Sequence, residues 1–400
     1  MHNDLIESHD HRHIAQRMGL LHFDDAAPGM VFWHPRGFAL YQALEEHARR
    51  RILRDGYQEV RTPQLLREGV WQSSGHWQQF DGGMFRFDDH GPPAALKPVS
   101  CPGHIRIVQQ DVLSYRALPL RLAEFGLVHR DERSGSILGL LRLRQFTQDD
   151  GHIFCAPDQI VGEVARFCRS LLAFYEGFGF DDVHVALSLR PEGRLGDDAV
   201  WDAAEGALRE GAQQAALDVV EQPGEGAFYG PKIEFLLPDH AGKRWQCGTI
   251  QLDLVMPERF GLRYVDAEGQ HQAPAMLHRA LFGSLERFLG LLLERYAGQL
   301  PVWICPEQVV VLPVGEGAPY AAHVFDALRA AGVRARLDDR EERLGRRVAE
   351  AHAAGVPVQL VVGARERASR AVNVRRGRRA RQIPLEEAIE SLAREARPPV

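Results

Sequence analysis

Apolar and polar positions alternate irregularly along the first three-quarters of the chain and regularly along the last quarter. From Gly37 to Asp55 the residues Leu40, Leu44, His47 and Ile52 recur near helical spacing, and Gly56 supplies a stop. An extended segment through Tyr57, Glu59 and Arg61 then runs into Pro63. Residues 120–155 predict a β-hairpin, with Glu124–Arg133 as one arm, Ser134-Gly135-Ser136 opening the loop and Leu140–Phe154 as the other arm. An amphipathic helix is predicted over 158–177 and an Ala- and Glu-rich one over 197–217. Strands follow at Lys232–Leu237, Trp245–Met256 and Ala275–His278. Ser284 caps a further helix running toward Tyr296, with Leu285, Phe288, Leu289 and Leu292 facing inward. Gly298–Pro301 reads as a domain boundary. Beyond it the pattern is strand (Val309–Leu312), helix (Ala321–Ala331), strand (Val333–Leu337), helix (Arg346–Ala354), strand (Val358–Val362), which predicts a βαβ arrangement with a parallel sheet.

Composition narrows the class. A chain of 400 residues, 45% hydrophobic and 26% charged, can build two or three domains with proper cores. No apolar run reaches membrane-spanning length, and Met1–Asp10 is polar and His-rich, unlike a signal peptide, so a cytoplasmic enzyme is expected with no membrane partner. The five cysteines are scattered and form no CxxC pair, which excludes a disulfide scaffold and requires any metal site to draw on distant residues. A net charge of -6 excludes a general nucleic-acid coater. Arg365, Arg367, Arg370, Arg375, Arg376, Arg378, Arg379 and Arg381 nevertheless crowd one segment against Glu366 alone. Phosphate binding and a merely solvated arginine-rich surface both remain open for it.

Candidate chemistry concentrates in the second hairpin arm. Alternate strand residues share a face, and here one face reads Arg142, Arg144, Phe146, Gln148, Asp150, His152. Guanidiniums, an aromatic, an amide, a carboxylate and an imidazole do not make a core face. Arg130 and Glu132 share a face on the partner arm, and arginines converging on one sheet surface suit a polyphosphate.

The ordered stretches Glu124-Phe-Gly-Leu-Val-His-Arg-Asp-Glu132 and Arg142-Leu-Arg-Gln-Phe-Thr-Gln-Asp-Asp-Gly-His152 resemble the second signature motif of class II aminoacyl-tRNA synthetases in its threonyl form. Lys97-Pro-Val-Ser-Cys-Pro-Gly-His104, Ala227–Phe235, Trp245–Asp253 and Leu277–Arg287 resemble further hallmarks of the threonyl-tRNA synthetases, the last being the third class II motif. The helix, strand and Pro63 resemble the first, which in the family forms a dimer interface. The resemblance extends from about His9 through Asp338–Gly345 to the end of the chain.

That resemblance implies an α/β fold overall: an α+β catalytic domain with an antiparallel sheet flanked by helices (11–299), after a short extension (1–10), then a smaller α/β anticodon-binding domain (300–400). It implies ATP-dependent activation of L-threonine and transfer to tRNA(Thr) by a homodimer joined around Pro63. Arg130 would hold the α-phosphate, Glu132 place the adenine, Phe146 and Arg287 sandwich it, and Arg142 reach the γ-phosphate, with Mg2+ bridging phosphates. Lys232 would lie near the reacting carboxylate, and Gln148, Asp150, Tyr229 and Gln251 would line the amino-acid pocket. Cys101, His152 and His278 would bind one Zn2+ per chain, and His76 would assist the tRNA ribose hydroxyl. Arg144 has no such counterpart and is read as structural. Anticodon contacts are expected around Arg340–Arg347 and in the arginine cluster.

The chain departs from the family pattern at Val99, Ser100, Gly151, Gln145, Arg133 and Leu138, and Val99 and Gly151 are expected to enlarge or reshape the threonine pocket. A short form without the N-terminal editing region is expected. Two rival readings stand beside the synthetase. An amino-acid-activating relative serving a non-tRNA acceptor would lack the tail domain, and a non-catalytic RNA-binding relative would have lost the arginines; neither loss is seen in the sequence.

Overall fold

The computed structural model describes residues 9–80, 83–88 and 91–399; most of the N-terminal extension, and with it the reading of Met1–Asp10, lies outside them. The chain forms two compact units. One comprises Asp25–Met30 and Ala48–Leu291, the other the residues up to Asp24, Val31–His47 and those from Leu292 onward.

The first unit is built on an eight-stranded sheet whose order is Val220–Gln222, His184–Ser188, Lys232–Pro238, Arg244–Asp253, Ala275–Ala280, Gln145–Cys155, Leu120–His129, Gln58–Glu59. The six inner strands pair antiparallel, and the two edge strands join parallel. Helices Ile160–Gly177 and Asp198–Gln214 form where the apolar periodicity put them, and Asp197 caps the second by accepting from the Val200 amide at 2.9 Å. Ser284 caps Leu285–Arg295 through the Arg287 amide. The first long helix spans Pro35–Arg54, with Pro35 at the position where a missing amide costs nothing and Gly56 at φ +86° beyond its end.

Three boundaries differ from expectation. The hairpin arms are Leu120–His129 and Gln145–Cys155, so Leu140–Arg144 is not strand. Leu140, Leu141 and Leu143 are all buried, which no alternating strand allows, and the segment turns back through a Leu138–Arg142 bridge. The strand predicted to Met256 stops at Asp253, whose carboxylate accepts from the Val255 and Met256 amides and starts a helical turn. His278 does not end its strand, which continues to Ala280.

The second unit carries a five-stranded sheet ordered Ala335–Leu337, Val309–Pro313, Val358–Val362, Ala371–Arg376, Arg379–Pro384. The first three strands are parallel, as the βαβ pattern required. Val309, Val311, Val358 and Leu360 pack against Val324, Leu328 and Leu392 on one face, and Val310 and Leu312 against Ala351 and Val356 on the other. The arginine cluster falls largely on the antiparallel hairpin that completes the sheet. Among the described residues no helix is long and apolar enough to cross a membrane.

Candidate active site

The central strands of the first unit floor a cavity of about 370 Å3. It is lined by Arg130, Glu132, Arg142, Phe146, Gln148, Asp150, His152, Tyr229, Lys232, Gln251, Cys101, His278 and Arg287, that is, every residue expected there except His76. Strand alternation is the reason. Phe146, Gln148, Asp150 and His152 occupy every second position of Gln145–Cys155, and register brings His278 opposite His152 and Gln251 opposite His278.

At one end Arg130, Arg142 and Arg287 converge. Burial lowers the pKa of Arg130 and of Arg287, and each is pushed further down by a neighbouring guanidinium, Arg287 for the first and Arg142 for the second. Three cations held against mutual repulsion make a seat for a multiply charged anion. Arg130 Nε donates to Pro98 O at 3.2 Å, and its guanidinium lies over the Phe146 ring, 5.1 Å from the centroid. Arg287 is fixed by the carbonyls of Leu141 (2.9 Å) and Gln246 (2.6 Å). Arg144 leaves the cavity: its Nε donates to Glu132 O at 2.8 Å and its guanidinium stands 4.0 Å from Asp131, a structural role as read.

The middle holds polar groups suited to a small zwitterion. Gln148 Oε1 is buried without a hydrogen-bond partner among the described residues, an acceptor awaiting a donor. Asp150 accepts from the Ser100 amide at 3.0 Å, Gln251 Nε2 donates to Gly230 O at 2.8 Å, and Lys232 Nζ pairs with Glu234 at 2.8 Å. Gly230 is required here, because a Cβ would sit 1.9 Å from Leu252 O and push the Tyr229 loop off the strand.

At the other end Cys101 Sγ, His152 Nε2 and His278 Nδ1 gather with all ligand atoms within 4.8 Å of one another. The two imidazole nitrogens face each other at 3.1 Å, while the outer nitrogens are engaged, His152 Nδ1 by His104 (2.7 Å) and His278 Nε2 by Asp253 (3.1 Å). A tetrahedral zinc with Zn–N of about 2.0–2.1 Å separates two nitrogens by roughly 3.3 Å, so the donor set fits the ion. Burial holds His152 neutral and raises the Cys101 thiol, so a cation is what would favour the thiolate.

Sequence and fold both place this cavity within a known family. The family described as tRNA synthetase class II core domain (G, H, P, S and T) matches residues 85–296, and the anticodon binding domain family matches 308–395. A structure of the RNA binding domain of threonyl-tRNA synthetase from Cryptosporidium parvum Iowa II superimposes with a TM-score of 0.94 at 36% identity, covering 98% of this chain and 99% of that one. The chain belongs to the class II threonyl-tRNA synthetases. Threonine–tRNA ligases of Dichelobacter nodosus and Dechloromonas aromatica are each 48% identical, over 92% and 97% of this chain. The chain spans 58% and 61% of their lengths.

Two features of this threonyl-tRNA synthetase core differ from expectation. His76 is not among the cavity's lining residues; its ring is 1% exposed and packs beside Tyr229 (6.0 Å between centroids) and against Phe228, with Nδ1 bonded to Ser74 Oγ. Gly151 faces the opposite side of the sheet. A Cβ there would meet the Arg279 guanidinium at 2.2 Å, so this glycine makes room for a buried arginine and does not open the threonine pocket. Val99 does line the cavity. The residues missed are Asp253, His104, Glu124 and Lys97, which stand behind the two histidines. The only signal for them was the histidine that closes the Lys97–His104 stretch.

In the second unit Arg347 is buried and spent on the carbonyls of Asp338 and Pro313, while Arg340 and Arg346 pair with carboxylates. Arg378, Arg379 and Arg381 of the hairpin stay exposed.

Proposed function

We propose that this chain activates L-threonine with ATP and transfers it to tRNA(Thr), with one Zn2+ per chain reading the amino acid and Mg2+ accompanying the nucleotide. The observation that carries the reading is one cavity with a Cys101–His152–His278 triad at one end and Arg130, Arg142 and Arg287 at the other.

A carboxylate oxygen of threonine attacks the α-phosphorus, the bond to the β-phosphate breaks, and pyrophosphate leaves. Arg130 faces the charge growing on the α-phosphate, Arg142 the outer phosphates, and Lys232 the carboxylate, a division that relies on positioning and charge. Phe146 and Arg287 sandwich the adenine, with Glu132 at its edge. The zinc supplies an open valence for the amino group and hydroxyl. Valine lacks that hydroxyl, whereas serine lacks only a methyl, worth about 1–3 kcal/mol, and is the harder competitor. Gln148, Asp150, Tyr229 and Gln251 complete the pocket. The ribose hydroxyl of the tRNA end then attacks the acyl carbon and AMP departs. His76, whose ring packs beside Tyr229 (6.0 Å between centroids), would assist that ribose hydroxyl.

The anticodon-binding family match supports a tRNA acceptor, read by the Arg378–Arg381 hairpin. Residues 11–299 would form the catalytic domain and 300–400 the anticodon-binding one, in a cytoplasmic homodimer joined around Pro63, where Leu53 and Leu65 are exposed. ATP–pyrophosphate exchange with threonine, serine and valine, followed by tRNA charging, tests the reading. Exchange with threonine and charging of tRNA(Thr) are expected, with about one zinc per chain that Cys101→Ala abolishes. No exchange with threonine overturns it, and exchange without charging transfers it to a non-tRNA acceptor.

A further inference from the structure

We infer that His104 and Glu124 are positioning residues for the metal centre: they hold His152 in the tautomer whose Nε2 lone pair faces Cys101 and His278. The inference rests on the zinc reading above and adds residues that stand one layer behind the ligands.

The reasoning runs outward to inward along one buried chain of hydrogen bonds. Glu124 is 3% exposed. Its Oε1 accepts from Lys97 Nζ (2.7 Å) and from the Thr62 amide (3.0 Å), and its Oε2 accepts from the Thr62 hydroxyl (2.7 Å). A carboxylate used in this way can only accept, so the nitrogen that reaches it, His104 Nε2 at 3.3 Å, is the one carrying hydrogen. His104 is fully buried, and Lys97 already balances the single carboxylate, so a second cation there would be uncompensated. With its Nε2–H directed to Glu124, the neutral His104 ring presents Nδ1 as a lone pair. Only a donor can sit 2.7 Å from it, and that atom is His152 Nδ1. His152 Nε2 is then bare. Lys97, seven positions before His104 in the loop after the strand Ala94–Leu96, and Glu124, on the strand beside Gln145–Cys155, thus decide which face of a ligand 48 residues from His104 meets the metal.

His278 is fixed differently, by Asp253 directly at 3.1 Å, which leaves its Nδ1 bare as well. Two lone pairs facing each other at 3.1 Å repel unless a cation lies between them. A metal ion bound by both nitrogens and Cys101 would satisfy this arrangement.

Zinc affinity, read by competition with a chromophoric chelator, tests this in the full chain, beside thermal unfolding of the zinc-stripped protein. His104→Leu is expected to weaken zinc binding about 10–100-fold and to shift the visible bands of the Co(II)-substituted protein. His104→Gln, whose amide oxygen can accept from His152 while its nitrogen donates to Glu124, is expected to recover most of the affinity. Zinc-free unfolding midpoints of the two variants should not account for that difference. If His104→Leu does not accumulate folded, His104→Asn replaces it, because its shorter amide cannot span both partners and the same loss is expected. Parental affinity in His104→Leu or His104→Asn, or affinity that merely tracks the zinc-free midpoint, overturns the inference. A parent chain that binds no zinc sinks the metal reading along with it, which separates the two failures.

Discussion

Replacing Lys97 by methionine keeps most of the aliphatic volume and removes one charge from a buried cluster. Lys97 is 1% exposed, and its Nζ reaches Glu124 Oε1 at 2.7 Å and the Thr62 hydroxyl at 2.9 Å. Burial alone would raise the Glu124 carboxyl, but hydrogen bonds from His104 and Lys97 and the Lys97 charge hold it at about 2 instead of the ordinary 4.5. That depression corresponds to about 3 kcal/mol of stability, which is present above pH 4.5 and is lost as pH falls through 2. Removing one partner of a buried ion pair costs about 3–5 kcal/mol. The Thr62 amide and hydroxyl and His104 still serve the carboxylate, so the lower end, about 3 kcal/mol, is expected.

Urea unfolding with a chelator present, so that metal binding adds nothing, measures the difference at pH 7 and again below pH 4.5. In the variant the carboxyl is less depressed and protonates first, which relieves the unpaired buried charge. The gap between parent and variant should therefore be largest near neutrality and shrink on acidification. The double variant Lys97→Met/Glu124→Gln should recover part of the loss. A gap under about 1 kcal/mol at pH 7, or one that widens in acid, refutes the reasoning.

Gly151→Ala is expected to cost about 1–3 kcal/mol in thermal unfolding because its methyl overlaps Arg279, while the KM for threonine in pyrophosphate exchange stays unchanged; a shifted KM without lost stability would return Gly151 to the pocket. Arg287→Lys forfeits two charge-assisted bonds to backbone carbonyls and should lower kcat/KM for ATP about 10–100-fold, so a change below about twofold counts against the stacking role. Burial, with His278 and Arg130 adding, holds His76 at about 3 instead of 6.5. The folded state thus rejects its proton, and stability is full above pH 6.5 and declines as pH falls toward 3. His76→Phe should remove that decline between pH 7 and 5, and equal declines in both proteins would contradict it.

Much of this site was legible because one strand carries so much of it. The alternation of Phe146, Gln148, Asp150 and His152 is a local property, and it survives folding intact. Arg142 and Arg144 looked like two more steps of the same face, but three buried leucines bend the chain before the strand begins, and only Arg142 reaches the cavity. The candidate metal triad was not legible from spacing, since Cys101, His152 and His278 meet only through the pairing of His152 with His278 and the placement of helix Cys101–Val108. Only the family resemblance named them. Asp253 and His104 went unread for the same reason, one step further out. Gly151 misled because a glycine beside a pocket residue suggests space in the pocket, whereas neighbouring strand positions open onto opposite faces. The arginine hairpin was visible as charge but not as strands, because arginine carries no strand signal of its own.

Placing the residues proposed for nucleotide stacking and for metal ligation on one strand has a physical consequence. Phe146 and His152 are six residues apart, about 20 Å along an extended chain, long enough to lay a nucleotide and an amino acid end to end with Gln148 and Asp150 between them. On the proposed function, the reacting carboxylate and phosphate would meet at a position set chiefly by backbone geometry. The same construction makes register critical. A one-residue slip would turn all four side chains to the face that now holds Asp149, Gly151 and the Arg279 guanidinium. That far face is accordingly pinned. Arg279 donates to Asp149 O at 2.9 Å and stacks over Tyr57 at 4.1 Å, and Asp149 accepts from the amides of Leu281 and Phe282. The buried arginine that needs Gly151 is thus part of what keeps Phe146 and His152 on the same side of the sheet.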